Sequence, residues 1–288
     1  MKYIFIINSF TVGKKINNLC EKIEIYCNSN KLDYLIEIND VENSTDDILK
    51  KYNKTNYIII AVGGDGMINR VLNAIINTNN VLSLIPTGTG NDFYRSAKLQ
   101  FYNGINECDL IKINNKYFIN TACFGIDADI ANDSTINNSK ILKKYKYLVN
   151  LIKHYFKYKS RNFDILLDGR KIKGKFITVV LCNGMYYGNG FNIGPNALLS
   201  DGVIDLYIVK HVNKLRMLKL ILSMKNGKHE KYKEISKDKI EKIIIKSSRK
   251  VKANIDGEVL ESSKFDINVL KKKVKIYYNQ DMIDNILK

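Results

Sequence analysis

Residues 57–69 read Tyr57-Ile58-Ile59-Ile60-Ala61-Val62-Gly63-Gly64-Asp65-Gly66-Met67-Ile68-Asn69. Six residues with no charge, rich in isoleucine, run straight into a Gly-Gly-Asp-Gly turn, and apolar residues then recur at helical spacing. That is a buried strand feeding a helix through a glycine-rich loop. Glycines in such a loop let the backbone approach a phosphate, and the N–H groups at the helix start point towards negative charge. The loop lacks the Gly-Lys-Ser/Thr of a Walker P-loop. A Gly-Gly-Asp-Gly turn alone can also be merely structural, so its neighbours must decide.

Working outward, the same rhythm repeats. Tyr3 to Asn8 is apolar, an amphipathic stretch follows to about Cys27, Tyr34 to Ile38 is strand-like, a polar helix comes next, and Leu82 to Ile85 is a further strand. This is the βαβα alternation of a parallel sheet with covering helices. After the last of these strands comes Pro86-Thr87-Gly88-Thr89-Gly90-Asn91-Asp92, again leading into a helix. Two adjacent glycine-rich strand-to-helix loops, each with an acid, belong beyond the carboxyl ends of the strands, where such folds bind ligands.

From about Glu107 the pattern changes to short runs: Tyr117 to Cys123, Asn162 to Leu167, Phe176 to Cys182, Val203 to Val209 and Val251 to Ile255. Asp-Gly and glycine-rich turns separate them, which predicts mostly antiparallel β structure in a sandwich. Helical stretches interrupt at Ser139 to Tyr158 and Lys214 to Met224, and the last residues from Gln280 read as helix. The expected fold class is therefore α/β plus β. The division places a parallel-sheet domain at 1–107, with helix 280–288 packing back on it, and an antiparallel β-sandwich domain at 108–279.

In the β half, Asn254-Ile255-Asp256-Gly257-Glu258 carries two carboxylates across a tight turn. Asp-Gly is also the commonest hairpin signal, which is the reading given to Asp168-Gly169.

Gly-Gly-Asp-Gly at 63–66, Pro-x-Gly-Thr-Gly-Asn-Asp-Phe at 86–93 and Asp-Gly-Glu at 256–258, in that order, resemble the diacylglycerol kinase-like lipid kinase family, which includes bacterial diacylglycerol kinases and sphingosine kinases. The resemblance spans essentially the whole chain. It implies a nucleotide domain like those of phosphofructokinase and NAD kinase, with the active site between it and the β-sandwich. ATP would then be held by Asn8, Gly63, Gly64, Asp65, Gly66, Met67, Asn69, Gly88, Thr89, Gly90 and Asn91. Asp65, Asp92 and Asp127 would form an acidic network around magnesium. Leu198 to Asp205 is similar to the family's second magnesium site, implying Asp201 with the carbonyls of Leu198 and Val203. The base that takes the lipid proton is implied to be Asp256 or Glu258, with Asp65 as a further candidate. Lys14 and Arg95 are candidate phosphate-side cations.

Two departures fall within these motifs. Where the family usually has Gly-Gly-Asp-Gly-Thr-x-Asn-Glu, this chain has Met67 and Arg70, and its Asn-Pro-x-x-Gly loop is replaced by Asn8-Ser9-Phe10-Thr11-Val12-Gly13-Lys14. They motivate a rival reading as a weakly catalytic nucleotide-binding regulatory protein. NAD kinase, which shares Gly-Gly-Asp-Gly, is the enzymatic rival.

The remaining sequence frames the partners. A chain of 288 residues with 46 Lys and Arg against 29 Asp and Glu carries a formal charge of +17, which attracts an anionic partner or reflects a lysine-rich genome. No nucleic-acid motif accompanies the charge. The basic, aromatic stretch 139–158 suits an anionic membrane surface, or else packs on the sandwich with its lysines solvated. Five scattered cysteines without a Cys-x-x-Cys pair argue against a metal knuckle or disulfide framework. The isolated His154, His211 and His229 read as surface residues. Met1 to Ser9 reads as a strand rather than a signal peptide, and no stretch approaches the roughly 20 apolar residues of a membrane span. The expectation is a cytoplasmic protein lying peripherally on the inner membrane face, with a homodimer left open.

Overall fold

The computed structural model describes residues 1–40, 43–125, 160–167 and 169–288. The chain divides into two units, Met1–Cys108 with Lys272–Lys288, and Asp109–Lys271.

In the first unit, strands β1 (Tyr3–Asn8), β2 (Tyr34–Asn39), β3 (Ile58–Gly63) and β4 (Val81–Pro86) are hydrogen-bonded in the order β4-β3-β1-β2. All three pairings are parallel. Every residue of β3 and β4 is buried, as befits parallel strands covered on both faces, and this is why they read as unbroken apolar runs. The connections carry α1 (Ser9–Val12), α2 (Ile16–Ser29), α3 (Thr45–Lys50), α4 (Asp65–Ile75) and α5 (Asp92–Gln100). Ile7 pairs with Val62 and Gly63 with Pro86, so the carboxyl ends of β1, β3 and β4 finish level with one another.

Chain from beyond residue 271 completes this unit. Ile276 pairs in parallel with Leu82 of β4. The final helix, α7 (Gln280–Leu287), is capped by Asn279, whose Oδ1 accepts from the Met282 N–H at 2.9 Å. Met282 and Ile286 of α7 share one core with Leu19, Ile23 and Cys27 of α2. Burying a side chain of that size stabilises by about 2 kcal/mol.

The second unit is antiparallel. After β5 (Gly104–Ile113), which enters it, come β6 (Lys116–Phe118), β7 (Thr121–Gly125), β8 (Arg161–Leu167), β9 (Arg170–Cys182), β10 (Tyr186–Tyr187), β11 (Phe191–Asn192), β12 (Ile204–Lys210), α6 (Lys214–Met224), β13 (Ile235–Ile240), β14 (Lys242–Ile255) and β15 (Glu258–Tyr278). The order is β13-β12-β9-β7-β14-β15, and β8 also bridges β9 and β14. The period of two assigns alternate residues to opposite faces. Ala122 and Phe124 of β7 join a core with Phe163, Phe176 and Phe265. Cys123 between them joins a second core with Val180, Cys182 and Tyr207, covered by Met217, Leu220, Ile221 and Met224 of α6.

One predicted strand is corrected. Tyr117 to Cys123 is not a single run but two strands, separated by Ile119 and Asn120. The N–H groups of those two residues turn to the Asp256 carboxylate instead of to a neighbouring strand. All five cysteines are free. His229 is fully buried rather than on the surface, packed against the Tyr207 ring. The stretch 139–158 and Asp127 lie outside the described residues, and so does the Lys14 side chain. No helix among the described residues is long and apolar enough to cross a membrane.

Candidate active site

The two glycine-rich loops meet at the level carboxyl ends of β3 and β4. Their approach is close enough to exclude side chains: a β-carbon at Gly88 would lie 2.4 Å from the Gly64 Cα, and one at Gly63 would lie 2.6 Å from the Met67 Cβ. The N–H groups of Thr87 and Gly88 donate to the Gly63 carbonyl at 3.1 and 3.3 Å. Gly64 and Gly88 are therefore fixed by backbone packing against backbone, and Gly63 by the Met67 side chain.

Asp65 ties the loops together. It is the first residue of α4, and its carboxylate accepts from the N–H groups of Asp92 and Phe93, both at 2.9 Å. Those two donors open α5, so a carboxylate from one helix caps the N-terminus of the next. Burial pushes the Asp65 carboxyl upward, while the Phe93 and Asp92 N–H groups pull it back. No side chain caps α4, whose N-cap is Gly64 and whose first turn holds Gly66. That end is shaped for an anion.

Asn91 shapes the second loop. It occupies the left-handed region at φ 52°, where Asn is among the tolerated residues, and its Nδ2 donates to the carbonyls of Gly88 at 2.8 Å and Pro86 at 3.2 Å. Its Oδ1 and the Thr87 Oγ1 are buried polar atoms with no hydrogen-bond partner. Native proteins rarely leave such atoms unsatisfied. Thr89 is exposed beside them. Arg95 lies over the loop, its Nε 3.3 Å from the Gly90 carbonyl and 3.7 Å from Asp92 Oδ1.

The other residues expected at the nucleotide face inward or sideways. Asn8 ends β1, and its Oδ1 accepts from the Phe10 N–H. Met67 is buried, with the Thr45 hydroxyl directed at its sulfur, and Asn69 is buried with its side chain bonded to Asn73.

In the second unit, Asp256 and Gly257 both have positive φ, 49° and 93°, as a two-residue type I′ hairpin requires. The Asp256 side chain is buried and accepts from Ile119 N at 2.7 Å, Thr121 N at 2.8 Å and Asn120 N at 3.1 Å. It holds the turn between β6 and β7. Glu258, two residues on, opens β15 and is only half-buried.

Comparison with known proteins bears on both halves of the chain. The profile of the diacylglycerol kinase catalytic domain matches residues 2–119, and that of the YegS C-terminal NAD kinase beta sandwich-like domain matches residues 120–278, which is more than half of the chain. The chain belongs to the diacylglycerol kinase-like lipid kinase family. A diacylglycerol kinase of Staphylococcus aureus is 28% identical over 250 residues, covering 81% of this chain and 78% of its own. A diacylglycerol kinase of Bacillus subtilis is 27% identical over 214 residues, covering 70% and 71%. A crystal structure of a diacylglycerol kinase from Bacillus anthracis covers 97% of each chain at 22% identity with a TM-score of 0.75, a likeness of fold.

The magnesium that the resemblance implies would meet two acidic side chains here. A β-carbon at Gly90 would lie 3.3 Å from Asp65 Oδ2 and 3.7 Å from Asp92 Oδ2, so the two carboxylates converge beside the second loop. Paired hard oxygen donors beside a glycine-rich loop fit the ion.

The second implied metal position does not fit. Asp201 Oδ2 accepts from the Lys239 Nζ at 2.9 Å, and its Oδ1 from the Val203 N–H at 3.3 Å. Lys239 stands opposite Asp205 across β12 and β13, with its Nζ 3.8 Å from the Asp205 carboxylate. The loop that carries Leu198, Asp201 and Val203 is anchored beneath by buried Asp109, which accepts from the Gly202 N–H at 2.6 Å and donates its own N–H to the Leu199 carbonyl. An ammonium thus stands where a divalent ion would neutralise Asp201. Sequence alone could not reveal Lys239, because only the strand register brings it to this loop.

A pH dependence follows. Burial raises the Asp205 carboxyl to about 6, and Lys239 is the largest opposing influence. Because that value lies above the unfolded carboxyl near 3.9, ionising Asp205 subtracts stability as pH rises from about 4 through 6. Lys239 offsets this loss. Lys239→Met is therefore expected to melt close to the parent at pH 4.5 and to fall behind it by about 1–2 kcal/mol at pH 8. Thermal melts across that range check it, and a pH-independent difference would contradict the assignment.

Proposed function

We propose that this chain is an ATP-dependent lipid kinase that transfers the γ-phosphoryl group to a lipid hydroxyl, with diacylglycerol as substrate and phosphatidate as product. The supporting observation is the junction of the two loops on Asp65. A backbone surface cleared of side chains at Gly63, Gly64 and Gly88 adjoins an uncapped helix start and paired carboxylates, in a segment matched by the diacylglycerol kinase catalytic profile.

In this reading the β- and γ-phosphates lie against the N–H groups at the start of α4 and in the second loop, where Thr87 and Asn91 hold their unpartnered polar atoms. Magnesium would be held by Asp65 and Asp92, with Asp127 as a third carboxylate, and would neutralise charge on the phosphates. Asp65 thereby positions nucleotide and second loop together rather than serving as the base. The lipid proton goes to Glu258. Asp256 is the poorer base because its carboxylate already accepts three backbone N–H bonds that a protonated form would weaken. The substrate is a membrane lipid, so the chain works as a peripheral protein at the cytoplasmic face of a bilayer.

The weakly catalytic reading is favoured by one observation. Met67, at the usual Thr position, is buried against Thr45 and brings no hydroxyl to the loop. The test is a panel of acceptors in mixed micelles with γ-labelled ATP and magnesium: diacylglycerol, monoacylglycerol, a sphingoid base and, in buffer, NAD. Labelled phosphatidate is expected. A labelled dinucleotide would move the assignment to NAD kinase chemistry, and measurable ATP binding without any labelled acceptor would favour the regulatory reading.

A further inference from the structure

Helix α6 is apolar on two opposite sides. Met217, Leu220, Ile221 and Met224 point into the core beneath it and are at most 6% exposed. Leu215, Leu218 and Leu222 point outward, at 84%, 38% and 51% exposed. Their spacing of three and then four residues lays them in one ridge about 10 Å long. Among the described residues the inner four already cover the sheet, and the ridge lies outside that core.

The ridge lies in a segment of one charge sign. Residues 210–229 contain six Lys and Arg and no Asp or Glu. Lys219 and Lys225 are exposed, and their helical positions put one on each side of the leucines, with Lys228 exposed just beyond. The acids next in sequence are engaged: Glu230 with Lys237 and Tyr207, and Glu234 in a two-point pair with Arg216. Both of these carboxylates are thus already engaged by cations or hydroxyls of their own.

We infer that α6 is a membrane-docking helix: Leu215, Leu218 and Leu222 enter the headgroup boundary of an anionic bilayer while Lys219, Lys225 and Lys228 meet its phosphates. This rests on the lipid kinase reading for its purpose. Charge selects the bilayer over a second copy of the chain. Two copies would bring the exposed Lys219 and Lys228 of each against those of the other, and three leucines fall well short of the roughly 800 Å² per partner that a stable interface buries. A basic rim around a small apolar ridge is the composition of an interfacial helix.

The experiment is vesicle sedimentation with the full chain, using phosphatidylcholine vesicles with and without phosphatidylglycerol. The parent is expected to sediment with the anionic vesicles and to release in high salt. Leu215→Ser/Leu218→Ser/Leu222→Ser should lose binding about tenfold or more, and Lys219→Glu/Lys225→Glu/Lys228→Glu should lose its salt-sensitive part. Leu215→Ser alone, at the most exposed position, serves if the triple variant melts below the parent. Phosphorylation of a short-chain diacylglycerol dispersed in detergent should be unchanged in the leucine variant. Equal sedimentation of parent and leucine variants, or a parent that ignores anionic vesicles, overturns the inference. A parent that self-associates through the leucines, seen as a dimer lost in the variant, also overturns it in favour of a second copy. If no lipid is phosphorylated while the variant still loses vesicle binding, the docking surface stands and the kinase reading fails.

Discussion

Asp65→Asn is expected to reduce phosphoryl transfer by on the order of 10²–10³-fold, the scale seen when a preorganised electrostatic partner of a transition state is removed. The side chain keeps its shape, yet it can no longer accept from both the Asp92 and Phe93 N–H groups, because its amide end is a donor. The second loop loses one anchor, α5 loses its anionic cap, and the carboxylate beside Gly90 loses its charge. Stability should fall only by about 1–3 kcal/mol, the cost of one unsatisfied donor. Activity and melting temperature measured on the same preparation separate the effects. A variant that loses stability but retains most of its rate would reduce Asp65 to a structural cap.

The second large effect is a contrast between two residues of one turn. Asp256→Asn leaves three buried N–H groups, of Ile119, Asn120 and Thr121, competing for one neutral oxygen. At about 1–3 kcal/mol for each donor left wanting, the loss is on the order of 3–5 kcal/mol, a large share of a typical domain's 5–15. The variant should melt many degrees lower or express poorly. Glu258→Gln should melt with the parent and lose about 10²–10⁴-fold in kcat, the contribution of a positioned base. The opposite pattern, an inert but well-folded Asp256→Asn beside an active Glu258→Gln, would make Asp256 the base.

These residues show what the sequence could and could not disclose. The strands β3 and β4 were legible because both faces of a parallel strand are buried, so every position is apolar. Helix α6 was legible from its periodicity, with the bounds that the structure shows. The long strands β9 and β14 were seen only in part. The first half of β9 is exposed and lysine-rich and carries little apolar signal, and in β14 the polar stretch 246–250 separates the buried Ile243 and Ile245 from the run at 251–255. The break between β6 and β7 was invisible because its cause, Asp256, lies more than 130 residues away in sequence.

The site divides in the same way. Local chemistry exposed the loops at 63–66 and 86–92, since glycine, Asn and Asp at strand-to-helix junctions each have a conformational reason to be there. The task of Asp256 and the Lys239 ammonium beside Asp201 depend on which strands are neighbours, and no local pattern encodes that. At Asp201 it is the register across β12 and β13 that sets the Lys239 ammonium against the carboxylate.

The most direct test of the central claim is the initial rate of phosphatidate formation from diacylglycerol and γ-labelled ATP with magnesium in mixed micelles, measured for the parent, Asp65→Asn and Glu258→Gln side by side. Steady phosphatidate formation by the parent, lost in both variants while Glu258→Gln still binds ATP, is the predicted result; no labelled lipid from a parent that binds ATP, or equal rates in all three proteins, would contradict it.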